Sequence, residues 1–161
     1  MISILKLLTE ENKFFVPERS REERKENFIT IQVKKINNYI ENGSEGSLTI
    51  SNTPLTRVPD NLKYVDGNLD LRSNNIQYLP KGLTVKGTFK LSSNPISTLP
   101  DDLSVGGDLF ITHTKVDTIP KNLNVGGTLW IHQTPLTRIN TQGLNDLIKN
   151  QGGNVRDISF W

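Results

Sequence analysis

The chain has two histidines, His113 and His132, and Asp108 lies close to the first of them. Imidazole and carboxylate groups bind metals and move protons, so these residues are the first candidates for chemistry. Structural zinc takes four such ligands, and the chain has no cysteine to complete a set. The lack of cysteine also excludes a disulfide framework and a thiol nucleophile. No G-x-S-x-G, P-loop or H-E-x-x-H pattern occurs. The "VGG" runs at 105–107 and 125–127 recur in phase and read as structural turns, not as phosphate cradles. Asn42-Gly43-Ser44 matches a glycosylation acceptor, but the start "MISILKLLTE" has no small-residue cleavage site and does not read as a secretory signal. The expectation is a protein that is not an enzyme, with no cofactor, no metal and no small-molecule substrate.

What remains is surface, and its most unusual feature is aromatic. The segment "LSVGGDLFITHT" (103–114) is followed 20 residues later by "LNVGGTLWIHQT" (123–134). Phe110 and Trp130 stand between paired apolar residues, where other copies of the pattern hold Thr49, Asp70 and Lys90. Five copies begin at Leu48, Leu69, Phe89, Leu109 and Leu129, at steps of 21, 20, 20 and 20. A period near 20 residues signals a solenoid, in which one coil cannot bury its apolar face and stacking must do so.

Side chains of a strand alternate between faces. Leu48/Ile50, Leu69/Leu71, Phe89/Leu91, Leu109/Ile111 and Leu129/Ile131 therefore point inward as columns. Leu55, Ile76, Ile96, Val116 and Leu136 close each coil on its far side. Thr53, Asn74, Asn94, Thr114 and Thr134 form a polar column that can satisfy backbone groups where the chain leaves the strand. Pro59, Pro80, Pro100 and Pro120 prevent a helical return leg. Gly67, Gly87, Gly107 and Gly127 mark the bend into the next strand. The outward columns then read Thr49, Asp70, Lys90, Phe110, Trp130 and, beside them, Ser51, Arg72, Ser92, Thr112, His132. Strands about 4.8 Å apart bring Phe110 against Trp130, with His113 and His132 nearby, while Asp70, Arg72 and Lys90 can pair with one another.

"LDLRSNNIQYLP" resembles the leucine-rich repeat pattern L-x-L-x-x-N-x-L-x-x-L-P in its short bacterial form, and the likeness covers 46 to about 140. It implies an α+β solenoid with a parallel β-sheet on its concave face and a scaffold for binding proteins. Thr in place of the ladder Asn in three copies implies a weaker polar ladder. Compact repeats with "LNVGG" turns resemble those encoded by bacteria and their large phages. "MISILKLLTE" is similar to the head-targeting leader of T-even-type phage internal proteins, with Leu8-Thr9-Glu10 at the cleavage motif.

The flanks do not repeat. Ile29, Val33, Ile36 and Ile40 share one helical face, with Gly43 as the stop, and a shorter helix over 3–14 is expected before it. Leu144, Leu147 and Ile148 share another face, ending at Gly152, and Ile158/Phe160 can add one last strand. The division is an N-terminal helical cap at 1–45, five repeats at 46–140, and a helix/strand cap at 141–161. The repeats carry nine Lys/Arg against seven Asp/Glu, too even for a nucleic-acid stripe. Nothing approaches the roughly 18 apolar residues of a membrane span.

The expected function is a protein–protein interaction module, phage- or bacteria-encoded, that binds and inhibits a host protein or defence complex. Its expected location is the bacterial cytoplasm, or the virion if the leader operates. The site would comprise Phe110, Trp130, His132 and His113, with Asp70, Arg72, Lys90 and Asp108 around them. A structural virion component is the alternative, as is a self-associating oligomer; the expected state is a monomer or weak homo-oligomer. Two further explanations of the aromatic pair stay open: cover by the tail ending in Phe160 and Trp161, or cross-strand pairing without a partner.

Overall fold

A computed structural model describes residues 20–161. The helix expected over 3–14 and the motif Leu8-Thr9-Glu10 lie outside the described residues. The chain forms a parallel-strand β-solenoid of about four turns, with one helix before it and one after.

Helix α1 (Arg21–Glu41) opens with a reciprocal cap. The Glu23 N–H donates to Ser20 Oγ at 3.1 Å, and the Ser20 N–H donates to Glu23 Oε2 at 2.7 Å. It stops at Asn42, with Gly43 in the left-handed region at φ 85°. Ile36 is fully buried in the solenoid core, and Ile29, Val33 and Ile40 pack partly against it. Lys35 Nζ donates to the Thr49 carbonyl at 2.8 Å, tying the helix to the first strand.

Each coil holds two short strands. One row consists of β1 (Leu48–Thr49), β3 (Leu69–Asp70), β5 (Phe89–Lys90) and β7 (Leu109–Phe110). The other consists of β2 (Tyr64–Val65), β4 (Thr84–Val85) and β6 (Ser104–Val105). In the last coil both rows merge into β8 (Asn124–Trp130), whose N-terminal end pairs β6 and whose C-terminal end pairs β7, both in the preceding coil. The second row is a feature that reading the repeats did not anticipate. Its signal was the valine column Val65, Val85, Val105, Val125, all buried.

The inward columns are as the spacing requires. Leu48, Leu69, Phe89, Leu109 and Leu129 are in register and buried, as are Ile50, Leu71, Leu91, Ile111 and Ile131. The polar column is buried too, but its members do unequal work. Asn74 Nδ2 donates to the Ile50 carbonyl of the preceding coil and to Leu71 O of its own, at 2.6 and 2.8 Å. Asn94 repeats this with Leu71 and Leu91, both at 2.8 Å. Thr114 and Thr134 reach only their own coils, at Ile111 O and Ile131 O. Thr53 Oγ1 still reaches the next coil by donating to Asn74 Oδ1 at 2.6 Å, so the weaker steps are those at Thr114 and Thr134, which have no asparagine partner in the next coil.

The bends differ from expectation in their cause. Gly87 and Gly107 are absent from the left-handed region. They are required because a Cβ on Gly107 would sit 3.0 Å from the Gly87 carbonyl carbon, and one on Gly87 would sit 2.9 Å from that of Gly67. These glycines stack as a backbone ladder, with Gly87 N to Gly67 O and Gly107 N to Gly87 O both at 3.0 Å. Left-handed residues recur elsewhere, in one column at Asn52, Ser73, Ser93, His113 and Gln133, with φ of 53–59°, and in a second at Gly82, Asp102 and Asn122, with φ of 68°, 60° and 54°.

A 3-10 turn (Pro135–Arg138) leads to helix α2 (Thr141–Asn150), whose first turn is capped by Asn140 Oδ1 at the Gly143 N–H, 2.8 Å away. Leu144 and Ile148 are buried; Leu147, expected on the same face, is 39% exposed. Strand β9 (Asn154–Ser159) then pairs parallel to β8, with Leu129 opposite Ile158 and Trp130 opposite Ser159. The sheet therefore gains one more strand, with Ile158 buried and Phe160 packed partly against the core.

Candidate functional site

The outward column assembles in register. Thr49 lies opposite Asp70, Asp70 opposite Lys90, Lys90 opposite Phe110, and Phe110 opposite Trp130. Parallel strands in register force neighbouring side chains to stand side by side. Phe110 and Trp130 accordingly stack, with ring centroids 5.4 Å apart and planes only 6° from parallel. Both rings are half-buried. The Trp130 indole Nε1 is buried without a hydrogen-bond partner among the described residues.

The tail does not fold over this pair. It continues the sheet beside Trp130, and Trp161 projects with 89% of its surface exposed. Trp130 is thus flanked by Phe110 on one side and Ser159 on the other. Tail cover, one explanation held open by the sequence, does not account for the aromatics.

The histidines lie next to each other, with ring centroids 5.7 Å apart and planes at 72°. His132 is half-buried and its Nδ1 lies 3.2 Å from the Phe160 carbonyl oxygen, so the bond needs the Nδ1–H tautomer. His113 is exposed, and its backbone N–H donates to His132 O at 3.0 Å. Among the described residues, no three His, Cys, Asp or Glu side chains converge on a possible metal position.

Asp70 and Arg72 pair at 2.7 Å, with the carboxylate shielded and the guanidinium half exposed. Burial pushes the Asp70 carboxyl upward, but the hydrogen bonds and charge of Arg72, with a smaller contribution from Lys90, outweigh it and hold the group below its ordinary value. Lys90 forms no ion pair among the described residues. Asp108 is drawn into the scaffold: one carboxylate oxygen accepts the Thr128 N–H of the next coil at 2.8 Å. Asn68 does the same for Thr88, at 2.7 Å, so this column braces successive coils.

Between Phe110 and the charged residues lies an open groove of about 500 Å³, lined by Arg72, Ser73, Lys90, Ser92, Ser93, Phe110, Thr112 and His113. It brings together four of the expected residues, Arg72, Lys90, Phe110 and His113. Trp130 and His132 adjoin it, and Asp70 contributes through Arg72. Thr112 Oγ1 donates to Ser92 Oγ across the floor at 2.8 Å.

A second polar cluster was not foreseen. Tyr64 donates its hydroxyl to Asp66 at 2.7 Å, Lys86 pairs with Asp66 at 3.0 Å, and the Lys86 ammonium lies 5.6 Å from the Tyr64 ring centroid. The Tyr64 bond, then Lys86, holds the Asp66 carboxyl below its ordinary value. These residues lie at the second row of strands, whose existence was not read from the repeats. No helix among the described residues is long and apolar enough to cross a membrane. No known protein family, no curated protein and no solved structure matches the chain.

Proposed function

We propose that this protein is a non-enzymatic protein-interaction module of the leucine-rich repeat type. Its helices act as caps, and the outward face of the first strand row is the docking surface. The observation that carries the reading is the Phe110–Trp130 stack. The solenoid's packing does not need it, because the same column accepts Thr49, Asp70 and Lys90. Aromatic groups surrounded by polar ones match the anatomy of interaction hot spots. The five in-register strands of this face offer a contact of about 800 Å² per partner, which is the standard size. The repeat and leader resemblances favour a phage or bacterial source, and hence a bacterial or virion protein as the partner. Binding to a host defence complex is the specific form of this reading.

Trp130→Ala tests it. Loss of a half-buried, stacked ring should lower stability by about 1–2 kcal/mol and abolish partner capture from bacterial lysate. A loss of about 3–5 kcal/mol, as for a core aromatic, would make the ring a packing residue and remove the site.

Self-association is a second reading, and one observation favours it. Among the described residues strand β9 pairs only β8, and Trp161 beside it is 89% exposed. An unpaired edge can accept another chain. Sedimentation of the wild type and of Trp161→Ala separates the readings: a concentration-independent monomer excludes this one.

A further inference from the structure

We infer, on the strength of the docking reading above, that the groove beside Phe110 takes an acidic segment of a partner protein, with one aromatic side chain laid on the open face of Phe110. Phe110 stands in register between Lys90 and Trp130. One face of its ring is covered by Trp130, stacked at 5.4 Å. The other face turns toward the Lys90 column and borders the groove. A planar group inserted there extends an existing stack in its preferred offset-parallel geometry.

The charge of the occupant follows from what is already paired. Asp70 is neutralised by Arg72, and Asp108, whose carboxylate braces the next coil through the Thr128 N–H, does not line the groove. Lys90, which also lines the groove, has no carboxylate in ion-pair range among the described residues. The uncommitted charge is therefore positive. The groove also offers hydroxyls at Ser73 and Ser93, whose side chains form no hydrogen bond among the described residues. A carboxylate next to an aromatic side chain meets Lys90 and Phe110 together. A nucleic acid fits less well, because its affinity rests on several phosphate contacts at once. This face supplies one uncommitted lysine beside two carboxylates.

The test is a displayed library of random 12-residue peptides, selected on the wild-type protein. Selected peptides are then measured against two variants that borrow residues from the same column, Phe110→Thr and Lys90→Asp. Both substituents already occur at this position in other coils, so the fold is expected to hold, and the melting transition checks it. The expected result is a set of peptides with net negative charge and a shared aromatic residue. Each variant should weaken them by about 10-fold or more, and binding should fall as salt rises. Peptides that need Phe110 but are neutral or basic and ignore Lys90→Asp would overturn the acidic class and leave the docking face intact. Peptides that bind both variants as well as the wild type would overturn both. Failure to enrich any peptide, or displacement of the peptides by a 12-residue oligothymidine, also overturns the inference.

Discussion

The two halves of the outward sheet face share a backbone but not a chemistry. At Thr49, Asp70 and Lys90 the column is polar, and Asp70 is neutralised by its neighbour Arg72. At Phe110 and Trp130 it is aromatic, stacked and flanked by two histidines. The inward columns show no such break: Leu69 and Leu109 are equally and completely buried. Register fixes what points inward and leaves the outward residues free, so a change confined to the outward face needs an explanation outside the scaffold's packing.

The largest expected effect tests the claim that the inward columns are equivalent. Leu69→Ala and Leu109→Ala should each cost roughly 2–5 kcal/mol, measured by urea denaturation. If the two costs differ by more than about 2 kcal/mol, the halves differ in packing as well as in surface, and the aromatic pair could be compensating for a weaker core.

A smaller effect separates the halves along the buried polar ladder. Asn74→Ala removes donors from Ile50 O and Leu71 O and the acceptor of the Thr53 N–H. Thr114→Ala removes only the bond to Ile111 O. Buried groups left unpaired cost about 1–3 kcal/mol each, with partial relief from relaxation. The expected losses are about 2–3 kcal/mol for Asn74→Ala and about 1 kcal/mol for Thr114→Ala. Equal losses would mean that the threonine steps carry bonds the geometry does not show.

The contrast also explains what was legible from the chain alone. Period-20 spacing fixed the inward columns, the outward column and the stacking of Phe110 on Trp130, because a parallel register leaves no freedom in these. Threonine in place of the ladder asparagine implied weaker steps; Thr114 and Thr134 bond within their own coils, whereas Thr53 still reaches Asn74 of the next. The second strand row escaped notice because each strand is two residues long, too short for alternation to register. The left-handed column just after the first strand row, Asn52, Ser73, Ser93, His113 and Gln133, holds no glycine, so the usual marker was missing there. Asp108 was placed on the outward surface, but its bond to the Thr128 backbone depends on a fit between coils that spacing does not encode. Leu147 shares a helical face with Leu144 and Ile148, but only the latter two meet the core.

The smallest effect concerns the polar half and depends on pH. Arg72 holds the Asp70 carboxyl below its ordinary value of 3.8 despite the opposing effect of burial. A carboxylate whose folded-state pKa is depressed stabilises the fold fully above the unfolded pKa, and that contribution disappears as pH falls through the folded value. Between about pH 4 and the folded-state value, wild-type stability should therefore converge on that of Asp70→Asn. At neutral pH the pair is expected to contribute no more than about 1 kcal/mol, since the guanidinium is half exposed and solvent screens it. Raising salt at pH 7 should shrink the same difference. The measurement is paired urea denaturation of wild type and Asp70→Asn from pH 7 downward, which cancels the other carboxylates, including Asp66. A difference that stays constant to the lowest pH would show that Asp70 acts through packing or its bond to the Arg72 backbone N–H, 3.1 Å away, rather than through charge. The polar half would then be as firmly structural as Asp108, leaving Phe110, Trp130 and Lys90 as the outward residues without a structural duty.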